Sequence, residues 1–294
     1  VGFGVWSMKR RDMGTTKMSY KLLDRVDNVN EMTLRDAREA CGDYGFADLI
    51  TSPDANSKLA KSEGYRNIGV SLTPSTVGVL DNCPNSTPKC RAACLAFTGR
   101  IEMESGKGGV ITRSRLGRTK LLADNPRLFA DVLYTQLLRE ERKAKRDGVN
   151  VAFRPDVLSD RFWHLENPWI FEAFPSWEIY GYTKSALKVQ QFTDGELPKN
   201  YHITFSWSEL ANPLYCRTIL ESGVNVAVPF YDRQTLKGCL SDSFLGFPVI
   251  DGDKSDLRFL DPSGVIVGLR AKLPKLRARA NKRVLGSSGF FVGV

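Results

Sequence analysis

Six strand-like stretches separated by helical ones constrain this chain of 294 residues more than any other feature. They are RNIGVSLTPS (66–75), NVAFRPDVLSD (150–160), SWEIYGYTKS (176–185), YHITFSWSE (201–209), NVAVPFYD (225–232) and GVIVGLRAK (264–272). Each carries β-branched residues, joined by aromatics in the middle four, in alternation or in a short run, and ends in polar turn residues. Between the first two, Leu121, Leu122, Phe129, Val132, Leu133, Leu137 and Leu138 recur at helical spacing across Thr112 to Asp147. Pro126 after Asn125 restarts the helix at a capped boundary. FWHLENPWIFEAF and ELANPLYCRTILESG supply shorter crossovers. Strands alternating with helices imply right-handed crossovers and a parallel sheet. The expected fold is α/β: a partial or complete parallel, TIM-like barrel over residues 61–272. An N-terminal extension (1–60) precedes it, with a short helix ending near Gly42, and a basic C-terminal segment (273–294) follows.

In such a sheet the C-terminal strand ends converge on one mouth, where active sites sit. Polar residues collect there: Thr73, Arg154 with Asp156, Tyr182 with Lys184, Ser206 with Glu209, and Asp232. Asp156 and Lys184 are the candidate catalytic residues, since a carboxylate at a mouth serves as a base or orients a hydroxyl, and a lysine binds an anion. Arg154, Asp160, Tyr182, His202 and Ser206 are candidates for holding a substrate or cofactor. The plainer alternative is that these are ordinary turn residues and ion pairs. His164 and His202 are too few and too separated for a multi-histidine metal site, although either would complete a zinc tetrahedron.

The loop after the first confident strand, DNCPNSTPKCRAACLAFTGR (81–100), holds Cys83, Cys90 and Cys94. Three thiolates so close in sequence are able to wrap one soft metal centre. A structural zinc needs a fourth ligand from elsewhere, whereas an iron-sulfur cluster on three cysteines leaves one iron open to a small molecule. Buried thiols with no metal at all are the third reading, because free cysteine is among the most buried residue types. The remaining cysteines, Cys41, Cys216 and Cys239, are isolated.

A cysteine triplet in the loop after the first strand of an α/β barrel resembles the radical S-adenosylmethionine enzymes, with wider spacing than theirs. That resemblance implies a 4Fe-4S cluster whose open iron takes S-adenosylmethionine. A further resemblance, to a protein family of tailed bacteriophages, is carried by NCPNSTPKCRAACLAFTGR, FRPDVLSD, FPSWEIYGYTKS, LPKNYHITFSWSE, GVNVAVPFYD and FPVIDGDKSDLRFLDPSGVIVGLRAK. It implies a phage or prophage origin and a cysteine-bound cluster, with no assigned reaction.

Three further stretches bear on function. VIDGDKSDLRFLD spaces Asp251, Asp253, Asp256 and Asp261 as a calcium loop opens, but the sharp-turn glycine position is Asp256 and the bidentate glutamate position is Pro262. Asp251 and Asp253 remain candidate ligand-binding residues; an acidic turn that pairs with Arg258 is the alternative. SGKGG (105–109) lacks the phosphate-loop spacing and reads as a turn, followed by Arg113, Arg115, Arg118 and Lys120 as a basic stretch able to meet phosphate. Arg270, Lys272, Lys275, Arg277, Arg279, Lys282 and Arg283 supply seven of the charges behind a net +9, a pattern suited to nucleic-acid phosphates.

No apolar run approaches the roughly 18 residues that a spanning helix needs, so no membrane partner is expected. The start, VGFGVWSMKRRDMG, has no signal-like order of charge and apolar core, which with clustered thiols points to a cytoplasm, the host's if the chain is phage-encoded. Three functions are therefore carried forward: an iron-sulfur enzyme of the radical S-adenosylmethionine kind acting on an unknown substrate, a zinc-containing nucleic-acid-binding phage protein, and an aspartate-based metal-dependent hydrolase.

Overall fold

Eight strands form one sheet in the computed structural model, which describes residues 22–53, 62–75, 78–97, 109–272 and 289–292. They are β1 (Ile50–Thr51), β2 (Tyr65–Val70), β3 (Asn150–Arg154), β4 (Glu178–Thr183), β5 (Tyr201–Ser206), β6 (Val226–Phe230), β7 (Val249–Asp251) and β8 (Ile266–Arg270). The order is β1-β2-β3-β4-β5-β6-β8-β7. Every pairing is parallel except β1 with β2. The architecture is a mostly parallel α/β sheet, and among the described residues no pairing joins β1 to β7 to close a barrel.

The long helices follow the apolar spacing. After α1 (Leu34–Asp43) and α2 (Pro88–Ala92) come α3 (Val110–Asp124) and α4 (Pro126–Asp147). Asn125 separates the last two, and its side chain accepts from the Leu128 N–H at 2.9 Å, capping α4 where Pro126 occupies the first turn. Gly148, left-handed at φ 68°, ends α4. Phe129, Val132, Leu133 and Leu137 are fully buried along α4. Burying each such large side chain stabilises the fold by about 1.5–3 kcal/mol. The remaining helices, α5 (Trp163–Glu166), α6 (Trp169–Ala173), α7 (Ala186–Thr193), α8 (Pro213–Glu221) and α9 (Arg233–Ser241), join successive strands.

Residues 22–53 share this core. The Gln136 amide oxygen of α4 accepts from the N–H groups of Leu49 (2.9 Å) and Ile50 (3.2 Å), which sets β1 at the sheet edge. Arg118 of the basic stretch on α3 is turned inward, donating to the carbonyls of Asp48 and Ser71, and Arg115 donates to Ser71 Oγ at 2.9 Å. The basic C-terminal residues 273–288 and residues 105–108 of the SGKGG turn lie outside the described residues.

The alternation of side chains gives the sheet two different faces. Ile68, Val70, Val151, Phe153, Ile179, Ile203 and Phe205 enter the main hydrophobic core. Ala152, Arg154, Tyr180 and Tyr182 point to the other face, which the chain segment after β7 covers. Phe259 of that segment packs on Tyr65, Tyr180 and His202 at ring separations of 5.1, 5.7 and 5.6 Å. Above it, Asp256 receives Arg154 Nη1 at 2.9 and 3.1 Å and lies 3.0 Å from the Tyr180 hydroxyl. This segment fills the lower part of that face and leaves a space at the C-terminal strand ends.

Candidate functional site

The space is a cavity of about 250 Å³ bounded by the exits of β3, β4, β5, β6 and β8 and by the cysteine loop. Cys83, Cys90 and Cys94 all line it. The loop is held from both sides. The buried Asn82 donates to the Thr73 carbonyl at 2.8 Å beyond β2, accepts from Arg161 Nη1 at 2.9 Å, and its carbonyl accepts from the Asp160 N–H at 2.8 Å. Cys83 then points its thiol at the Leu158 carbonyl, 3.4 Å away. Thr87 caps α2 by accepting from the Cys90 N–H at 3.2 Å. Glu209, beyond β5, accepts from Thr87 Oγ1 at 2.7 Å and from the Lys89 N–H at 2.9 Å. Cys90 on α2 and Cys94 just past its end are thereby delivered to the same cavity as Cys83.

Electrostatics couple the thiols. Burial pushes the Cys83 thiol far above the ordinary range, and Cys94 raises it further. Cys94 is also raised by burial and by Cys90, while an Ala96 backbone hydrogen bond and the charges of Arg115 and Lys184 pull it back down. Metal-free, Cys83 and Cys94 are therefore neutral near pH 7, and a soft metal must displace their protons. Among the described residues no three His, Cys, Asp or Glu side chains are placed to hold one metal ion. Metal binding is thus not displayed by the geometry itself; the cysteines share a cavity without converging on a single-ion centre.

Residues 49–285 match the family described as gene product 88, GP88. The chain belongs to the GP88 family. The matched span takes in the cysteine loop and every strand exit around the cavity, and stops before Phe290 and Phe291. The phage family expected from the sequence is therefore found, and the radical S-adenosylmethionine resemblance is not matched by it. No curated protein and no solved structure matches the chain.

In this GP88-family chain the cavity lining includes Arg154, Asp156, Asp160, Tyr182, Lys184, Ser206 and Asp253 from among the residues singled out by sequence. Most are already engaged. Asp156 accepts from Ser159 Oγ at 2.5 Å and from the Arg161 N–H at 3.2 Å, and burial pushes its carboxyl up. Asp160 receives the buried Lys188 ammonium at 2.8 Å and the Lys184 N–H at 2.9 Å. Arg154 is committed to Asp256 and stacks over the Tyr182 ring at 4.8 Å. Asp253 accepts from the Arg270 N–H at 2.9 Å and pairs with Lys272 at 3.4 Å.

Two candidates stand apart from the lining. His202 lies near the N-terminal end of β5 and pairs with Glu178 at 2.7 Å. Asp251 ends β7, where its side chain accepts from the Asp253 N–H at 3.0 Å. Arg258 forms an ion pair with Asp261 at 3.3 Å. Sequence reasoning passed over Asn82, Lys188 and the buried Arg161–Glu166 pair (2.7 Å), which hold the loop and the β3 exit. It also passed over Trp207, Phe290 and Phe291 in the lining. The adjacent aromatics of GFFVG were the available signal for the last two.

Proposed function

We propose that this GP88-family protein is an iron-sulfur protein in which Cys83, Cys90 and Cys94 hold a 4Fe-4S cluster against the cavity, with the sheet curling toward a partial barrel. The observation that carries the reading is that all three thiols of one short loop line a single cavity with the strand-end polar residues. Zinc is supported less well, because a tetrahedral ion needs its ligands in contact with one point. When bound on three thiolates, such a cluster supplies an open iron for a small molecule, S-adenosylmethionine being one with the required donor groups, and a route for single-electron chemistry.

The protein's own part is positioning and shielding. Glu209 and Asn82 fix the loop; Arg115 and Lys184 place positive charge beside Cys94, which favours the thiolate form a metal requires. The buried wall of Trp207, Phe290 and Phe291 restricts water at the mouth. Six cysteines free of disulfides suit action in the reducing cytoplasm of a host cell.

Anaerobic reconstitution with iron and sulfide, followed by metal and sulfide analysis and Mössbauer spectroscopy, tests this. About four irons per chain, lost on Cys83→Ser, Cys90→Ser or Cys94→Ser, is the expected result. A protein that retains stoichiometric zinc and takes up no iron overturns it.

A further inference from the structure

The cavity is chemically two-sided. Trp207, Leu269, Phe290 and Phe291 give it an apolar wall. The indole N–H of Trp207 is spent on the Gly289 carbonyl at 2.9 Å, and Phe290 and Phe291 meet edge to face at 5.0 Å, so this wall offers ring surface rather than hydrogen bonds. The polar wall comes from the exits of β3 and β4, and its acids are consumed internally: Asp156 by Ser159 and a backbone N–H, Asp160 by Lys188 and a backbone N–H.

Lys184 is different. Its backbone is fixed by Asp160, its side chain is half-buried in the cavity lining, and its ammonium has no acceptor among the described residues. Arg270 adds a second lining cation whose guanidinium has no acid partner among those residues. A half-buried ammonium in a mostly apolar pocket is stabilised by a counter-anion that brings its own charge and accepts hydrogen bonds. Pockets of this make-up use the apolar wall for affinity and the few polar groups for orientation.

We infer that the cavity takes a small organic anion: an apolar, ring-sized body against Trp207, Phe290 and Phe291, with a carboxylate or phosphate group at Lys184. The inference rests on the reading of this cavity as the functional site, and it names the ligand class. It does not require iron.

Calorimetric titration of the metal-free and the iron-loaded protein with benzoate, phenyl phosphate, benzyl alcohol and benzylamine tests it. At least one of the two anions binds about tenfold tighter or more than the alcohol and the amine. Whether benzoate or phenyl phosphate is preferred identifies a carboxylate or a phosphate as the recognised group. Lys184→Ala lowers anion affinity by about tenfold, Lys184→Arg stays within about threefold of wild type, and Trp207→Ala weakens every ring-bearing probe. Four probes binding alike, or Lys184→Ala binding the anions as wild type does, overturns the inference. If Lys184→Ala proves unstable, the order of the four probes on the wild-type protein decides alone. Iron is counted separately, so failure to load a cluster overturns the preceding reading while leaving the anion result intact.

Discussion

Glu209 accepts a 2.7 Å hydrogen bond from the hydroxyl of Thr87, joining the exit of β5 to the N-cap of the cysteine-bearing helix 122 residues away in sequence. The same carboxylate takes the Lys89 N–H, so one side chain beyond β5 orients the turn that presents Cys90 and Cys94. Glu209→Ala leaves two donors of the loop without their acceptor, at a cost of about 1–3 kcal/mol. The expected outcome is a lower melting temperature together with iron content per chain reduced by about half or more after desalting. Glu209→Gln, which keeps an acceptor oxygen, lies between; unchanged iron retention in Glu209→Ala removes the positioning role.

The Arg154–Asp256 pair locks the segment after β7 onto the exit of β3, with Asp256 almost wholly buried. Removing one partner strands the other charge in a low-dielectric site. Asp256→Ala is expected to destabilise by about 3–5 kcal/mol in chemical denaturation. The double variant Arg154→Met/Asp256→Leu is expected to recover a large part of that loss, because the Arg154 charge is removed together with its carboxylate partner. Equal losses in the single and double variants contradict the account.

Thiol chemistry in the metal-free protein follows from burial. The folded-state pKa values of Cys83 and Cys94 lie above their ordinary values. The unfolded chain therefore releases these protons first as pH rises, and the stability they contribute is full below about pH 8.5 and declines above it. Alkylation of Cys83 and Cys94 by iodoacetamide near pH 7 is expected to be slower than that of a model thiol by about tenfold or more. Fast labelling of both at pH 7 contradicts it.

His164 works in the opposite pH range. Burial, with the Lys188 charge next, pulls its pKa down to about 4, and its Nε2 lies 3.1 Å from Gln191 Oε1. The unfolded chain takes up a proton near pH 6.5 while the folded chain does not until about pH 4. Stability is therefore lost as pH falls through that window, by roughly 2–3 kcal/mol. His164→Gln is expected to flatten this part of the stability profile; an unchanged acid limb in the variant contradicts the assignment.

The strands long enough to show a period were readable in the chain, as was the α3–α4 boundary at Asn125 and Pro126. Ile50–Thr51 and Val249–Asp251 were not, because two or three residues carry no periodicity and their place at the sheet edges depends on β2 and β8. Val249–Asp251 looked like the start of an acidic turn. Its pairing with Ile266–Gly268 makes it an edge strand, and the aspartates after it become partners of Arg270, Lys272 and Arg154.

Local pattern by itself determined the parallel α/β character, the loop with three thiols, and the polar residues at strand exits, since period, capping and spacing act over a few residues. Only the tertiary structure decided which of those residues remain available. Asp160 and Lys184 look equally free in a linear reading, yet Asp160 meets the buried Lys188 while the Lys184 ammonium reaches the cavity without a described acceptor. A charge is neutralised by whatever the fold brings within a few ångströms, and that proximity is set by packing across strands far apart in the chain.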